Sequence, residues 1–216
     1  MFKNYKIKKN IIYAGKVLHN LGLVAGFDGN ISIKSGNTIF ITGTMSYKGN
    51  LKNSDIVSVK IGEKLIIKGK KNPSSEFPMH KKSYEVRTDI NAVIHAHPFY
   101  TVLLSVIEIR PNTNLTPEAF IFLKDIPVAP YKTPGSFELA ESAKMLVNSN
   151  IVILEKHGVL AVGKDIYHAL DIIEKTENIA KKTYYTLISG KYPKLFKDEE
   201  IMELNIIRNK LSGKLL

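Results

Sequence analysis

Near the start of the chain the apolar residues Ile11, Ala14, Val17, Leu18 and Leu21 recur at three-and-four spacing. That spacing lines one face of a helix over residues 10–21, and Gly22 supplies its stop. The period then changes. Behind a loop bracketed by Gly26 and Gly29, the stretches ISIK and TIFIT flank the turn residues Ser35-Gly36-Asn37 and read as a β-hairpin. A second hairpin follows in IVSVK, a turn at Gly62, and KLIIK. The segment PSSEFPMHKKSYEVR returns to a helical period. Ser74 or Ser75 is placed to cap it, and Pro78 falls in the first turn, where a missing N–H costs little. AVIHAH is short, β-branched and apolar, a strand ending at Pro98. FYTVLLSVI reads as a helix, IPVAPY as a strand and FELAESAKMLV as an amphipathic helix. IVIL and VLAV are apolar strands separated only by Glu155-Lys156-His157-Gly158, a tight hairpin. Asp165 caps a long helix whose buried stripe is Ile166, Ala169, Leu170, Ile173, Ile179 and Ala180, and the charged tail beyond Gly190 is helical as well.

Hairpins dominate the strand connections while helices are interspersed, which predicts an α/β fold with a largely antiparallel sheet covered by helices. At 216 residues, with no internal repeat, a single domain spanning residues 1–216 is expected. The apolar runs fall short of the roughly 20 residues needed to cross a bilayer, so no membrane partner is expected. The basic opening MFKNYKIKKN is not followed by an apolar signal-peptide core, and the expected location is the cytoplasm. With no cysteine, any metal must be held by nitrogen and oxygen. The net charge of +11 raises a nucleic-acid reading, but the lysines are dispersed in short clusters (KIKK, KGKK, AKK) and no nucleic-acid motif is present. No nucleic acid is expected; a small anionic substrate suits the charge.

His95 and His97 are the first candidates for chemistry. On a strand, side chains at i and i+2 share a face, whereas on a helix they diverge by about 200°. The two rings project together, either as core side chains or as two halves of a metal grip. A third ligand is required for zinc, and His157 is the best placed, because a turn beside Gly158 can present it to a cleft. Glu76 reads either as a helix-dipole carboxylate or as a general acid/base. Ser74, Ser75 and the free N–H groups at the helix start suit a phosphate dianion. Gly29-Asn30 and Thr42-Gly43-Thr44 are ordinary turn chemistry or anion-binding loops. Glu118, after Pro117, is a further first-turn carboxylate. His19, His80 and His168 read as structural or surface residues.

Taken together and in this order, GNISIK, ITGTMS, PSSEFPMH, AVIHAHP, APYKTPGSFELAE and ILEKHGVLAVGKD resemble the class II aldolase/adducin family along nearly the whole chain. The likeness is closest to the branch of the L-fuculose-1-phosphate aldolases. The resemblance implies a three-layer α/β/α fold around a central, largely antiparallel sheet. It also implies one zinc ion per subunit, and a homotetramer with active sites at subunit interfaces. By motif match, His95, His97 and His157 would hold the zinc. Glu76 would approach the metal in the empty site and act as acid/base once substrate displaces it. Asn30, Thr44, Ser74 and Ser75 match positions that bind a substrate phosphate, and Gly29 adjoins them. The implied reaction is reversible cleavage of a small phosphorylated sugar, a deoxyketose 1-phosphate such as L-fuculose 1-phosphate. Its products are dihydroxyacetone phosphate and an aldehyde such as L-lactaldehyde.

The chain departs from that pattern in two places. Thr44-Met45 stands where the family has Thr-Gly. No tyrosine falls between Tyr100 and Tyr131 or after Tyr192, regions from which the best-studied branch draws tyrosines for the aldehyde-side proton. Glu118 is a substitute donor, or else a helix-start residue. A sugar-phosphate 4-epimerase, a methylthioribulose-1-phosphate dehydratase and an adducin-like binding module are the family's other outcomes. The dehydratases use a glutamate at about the spacing of Glu118 and lack the one matching Glu76. Glu76 together with three histidines argues for the aldolase.

Overall fold

The computed structural model describes residues 2–62 and 64–212. Its strands are β1 (Asn30–Ser35), β2 (Thr38–Thr42), β3 (Ile56–Lys60), β4 (Ile66–Lys68), β5 (Ala92–Ala96), β6 (Val128–Ala129), β7 (Ile151–Leu154) and β8 (Gly158–Gly163). They form one sheet in the order β4-β3-β2-β1-β5-β8-β7-β6, antiparallel at every joint except β6 with β7. The helices are α1 (Phe2–Asn20), α2 (Phe77–Val86), α3 (Phe99–Val106), α4 (Pro117–Leu123), α5 (Phe137–Glu141), α6 (Ile166–Ile188) and α7 (Asp198–Ser212).

Strand alternation sorts the apolar side chains into two cores, one on each face of the sheet. Ile31, Ile94, Ile151, Ile153 and Ala161 face α1, α4 and α6, meeting Ile11, Leu18, Leu123 and Ile173. Val93, Val152, Leu154, Leu160 and Val162 face the other way, against Phe77, Met79 and Tyr84 of α2 and Leu139 and Leu146 beyond it. The expected three-layer α/β/α arrangement is therefore the observed one. No helix among the described residues is long and apolar enough to cross a membrane.

Several local expectations are corrected. Helix α1 starts near residue 2, because Ile7 extends the buried stripe of Ile11, Ala14 and Leu18 by another turn. The stretch IPVAPY yields only the two-residue edge strand β6, since Pro127 and Pro130 cannot donate to a ladder. The single helix foreseen over FELAESAKMLV is α-helical only to Glu141 and continues as a 3₁₀ helix from Ser142 to Asn148. Neither Ser74 nor Ser75 occupies the N-cap of α2. Glu76 does, with no capping bond from its side chain, while Ser74 Oγ accepts the Glu76 N–H at 3.3 Å.

The cap of α6 is as expected: an Asp165 carboxylate oxygen accepts the His168 N–H at 2.9 Å. Asp165→Ala should lower stability by about 1 kcal/mol, read as a drop in urea midpoint with the slope unchanged.

Candidate metal and active site

The interior strands β1, β5 and β8 bring Asn30, His95 and Leu160 side by side in register. His95 shares the parity of Val93 and so points to the α2 face. His97 lies just beyond the end of β5, where its N–H donates to the Leu23 carbonyl at 2.9 Å. His157 stands in the β7–β8 turn, which Lys156 makes by adopting a left-handed backbone (φ 58°). Gly158 follows because nothing larger fits. A Cβ there would lie 2.4 Å from the Ala96 carbonyl oxygen and 2.8 Å from the His97 ring.

The three rings converge, with centroids 4.7 to 5.0 Å apart. His95 Nδ1–H donates to the Val159 carbonyl at 2.9 Å, which leaves its Nε2 lone pair facing the cluster. His97 Nε2 lies 2.8 Å from that atom. Two bare lone pairs repel at such a distance unless a proton or a cation lies between them. Burial first, and the neighbouring imidazoles second, push the pKa of His95 and of His97 down to about 3. The rings are thus neutral, the form that ligates a metal. His157 Nδ1 is buried without a hydrogen-bond partner, and one nitrogen from each ring falls within 4.8 Å of the others. Glu76 closes the fourth side: its Oε2 is 3.3 Å from His95 Nε2 and its Oε1 is 3.6 Å from His157 Nε2. Three imidazoles and a carboxylate are a donor set suited to a divalent transition metal, and the residues present fit one.

The predicted anion-binding residues lie around Glu76. Gly29 has φ 72°, and a Cβ on it would come within 2.6 Å of the His95 carbonyl oxygen. Asn30 is not free: its Nδ2 donates to Glu76 Oε2 at 2.7 Å. Thr44 is exposed, its hydroxyl donating to the Pro73 carbonyl at 2.8 Å, and Ser75 is exposed at the start of α2. Lys48, which nothing in the sequence sets apart from the other dispersed lysines, is buried here. Its ammonium donates to the carbonyls of Phe27 (2.9 Å) and Ser46 (2.7 Å), tying the loop before β1 to the loop after β2. Burial lowers its pKa to about 8. Glu118 does not join the cluster within one chain. It is exposed in the first turn of α4, which Thr116 caps, in the layer opposite α2.

His80, expected as a structural or surface residue, is fully buried, and its Nε2 lies 2.5 Å from Asn30 Oδ1. Its spacing of four from Glu76 was the available signal.

The model of the class II aldolase and adducin N-terminal domain matches residues 9–184, and the chain belongs to that family. The L-fuculose phosphate aldolase of Methanococcus maripaludis strain C5 is 41% identical over 175 residues, covering 81% of this chain and 94% of that one. A solved L-fuculose 1-phosphate aldolase superposes with a TM-score of 0.84 at 32% identity, covering 96% of both chains. The 3-oxo-tetronate 4-phosphate decarboxylase of Haemophilus influenzae is 29% identical over 203 residues, 91% of this chain and 95% of that one.

His80, His95 and His97 titrate at about 3 when folded against an ordinary value of 6.5. Between those values the unfolded chain binds protons that the folded chain does not. Metal-free stability is therefore fully present above about pH 6.5 and is lost as the pH falls towards 3. Urea midpoints in the presence of a chelator should fall steadily below about pH 6.5; a flat profile down to about pH 4.5 would contradict the buried neutral rings.

Proposed function

We propose that this chain is a zinc-dependent class II aldolase. It reversibly cleaves a ketose 1-phosphate such as L-fuculose 1-phosphate to dihydroxyacetone phosphate and an aldehyde such as L-lactaldehyde. The observation that carries this reading is the Glu76 carboxylate held at 3.3 and 3.6 Å from the nitrogens of His95 and His157, inside the three-histidine cluster. A carboxylate so near the metal position is placed to exchange a proton with a substrate bound there.

A zinc ion held by His95, His97 and His157 supplies Lewis acidity towards the substrate's carbonyl, lowering the cost of carbanion character beside it. Glu76 takes the proton from C3 of dihydroxyacetone phosphate in the condensation direction and returns it after cleavage. The electron pair left at C3 forms the new C–C bond with the aldehyde carbon, and the aldehyde oxygen must then gain a proton. Ser74, Ser75 and the backbone beside Gly29 bind the phosphate, joined by the second Nδ2–H of Asn30 and by the Thr44 hydroxyl once it turns from the Pro73 carbonyl. The affinity of that non-reacting group fixes the position of the reacting one. Lys48 adds positive potential behind the same loops. No lysine Schiff base is needed, and the basic balance of the chain favours approach of a sugar phosphate.

The proton donor on the aldehyde side is Glu118, delivered from a neighbouring subunit of a homotetramer whose active sites lie at subunit interfaces. Its exposed place on α4, away from the histidines of its own chain, agrees with delivery in trans.

Two variants separate these roles. Glu76→Gln should retain the metal yet abolish deuterium exchange at C3 of dihydroxyacetone phosphate, and undiminished exchange would reassign the base. Glu118→Gln should leave that exchange intact while slowing ketose phosphate cleavage by about 10²-fold or more, the usual worth of a positioned acid. Equal loss of both activities would return Glu118 to a helix-start role. Product analysis with candidate ketose phosphates tests the reaction class. Triose phosphate release supports the aldolase, whereas an isomeric pentulose phosphate, a dehydrated diketone or carbon dioxide from a keto acid would each replace it.

A further inference from the structure

Helix α2 and strand β1 run along each other with matched spacing. Glu76, His80 and Tyr84 recur every four residues on the helix, an advance of about 6 Å per step. Asn30 and Ser32 recur every two on the strand, about 6.7 Å per step. The five side chains therefore interleave. Glu76 Oε2 meets Asn30 Nδ2 at 2.7 Å, and Asn30 Oδ1 meets His80 Nε2 at 2.5 Å. His80 Nδ1 then meets Ser32 Oγ at 2.7 Å, and Ser32 Oγ meets the Tyr84 hydroxyl at 2.9 Å. All five residues are buried.

The proton inventory gives this chain one direction. A carboxylate accepts only, so Asn30 turns its amide nitrogen to Glu76 and its carbonyl oxygen to His80. His80 must then donate from Nε2; its ring is fully buried with only the neutral Asn30 and Ser32 bonded to it, so it holds a single proton and Nδ1 accepts. Ser32 spends its single proton on Nδ1, and the Tyr84 hydroxyl, 2.9 Å from Ser32 Oγ against 3.4 Å from the Asn91 carbonyl oxygen, donates to Ser32 as the nearer acceptor. We propose that His80, Ser32 and Tyr84 are positioning residues: a one-way hydrogen-bond chain that locks the Asn30 amide, and through it Glu76, leaving Oε1 as the oxygen that exchanges the substrate proton. This rests on the reading of Glu76 as the base. Apolar filling of the same space would avoid the desolvation of five polar groups. The chain differs from such filling by ending on the one carboxylate at the histidine cluster.

The test uses the metal-loaded full chain with three variants, His80→Phe, Ser32→Ala and Tyr84→Phe. Deuterium exchange at C3 of dihydroxyacetone phosphate gives kcat and KM, while metal content and melting temperature are followed in parallel. His80→Phe should lower kcat roughly ten- to a hundred-fold with metal retained, the size expected when a partner behind an active group is removed. Ser32→Ala should lose less, and Tyr84→Phe least, following distance along the chain. His80→Gln, whose amide can both donate to Asn30 and accept from Ser32, should recover part of the loss and keeps the test open if His80→Phe does not fold. Independently of activity, nitrogen-15 NMR of the metal-free protein should show His80 as the neutral Nε2–H tautomer. An unchanged kcat in His80→Phe would overturn the proposal, as would an Nδ1–H tautomer or losses that merely track melting temperature or metal content. Glu76→Gln is the control. If it stays fully active the reading of Glu76 falls, whereas an inactive Glu76→Gln beside a fully active His80→Phe removes only the positioning role.

Discussion

Antiparallel pairing of β5 with β1 on one side and β8 on the other leaves Ala92–Ala96 with neither an edge nor an exposed face. An imidazole placed on such a strand cannot be solvated, so every one of its polar atoms needs a protein partner or a metal. His95 meets that demand by giving Nδ1–H to the neighbouring strand's Val159, which aims the other nitrogen at the cluster. The sheet ladder thus determines the tautomer as well as the position. His97 and His157 belong to the strand end and the adjoining turn, where the backbone is free to bring further donors to the same point.

The site is built from two kinds of material. The histidines, Glu76 and Asn30 stand on or beside interior strands and the start of α2, where packing on both sides limits their movement. The groups suited to an anion stand on loops, which lack that support. Lys48 supplies it by holding two of those loops to one buried ammonium, with backbone carbonyls as its acceptors. Ammonium-to-carbonyl bonds stiffen the loops without neutralising the lysine, so the clamp retains its positive field. A rigid donor set beside an electropositive rim accommodates a ligand that is anionic at one end and reactive at the other.

Much of this was legible in the residue order because it depends on local period. Alternation alone put His95 and His97 on one face, and the four-residue gap between IVIL and VLAV forced a turn bearing His157. What escaped depends on which surfaces meet across long stretches of chain. The burial of His80 follows from α2 lying on β1, a pairing of segments about fifty residues apart that no local pattern announces. Lys48 looked like any other surface lysine because burial of a cation is decided by the loops that close over it. Serine propensity points to Ser74 or Ser75 as the N-cap of α2, whereas Glu76 takes that place with its carboxylate held by Asn30 and beside the histidines, partners that lie far away in the sequence. The place of Glu118 relative to the histidine cluster is likewise set by tertiary layering, since a first-turn carboxylate has the same local signature on either side of a sheet.

The matched spacing of α2 and β1 has a consequence for how the gene can change. Exchange of one residue at positions 76–84 breaks only the hydrogen bonds which that residue makes, and the helix keeps its phase against the strand. Insertion or deletion of one codon there would rotate every later residue by about 100° around the helix, moving His80 and Tyr84 off the strand together. The loop at residues 132–136 carries no such phase relation and can lengthen or shorten without disturbing it. The phase of α2 against β1 therefore withstands substitution better than a change of length in this stretch.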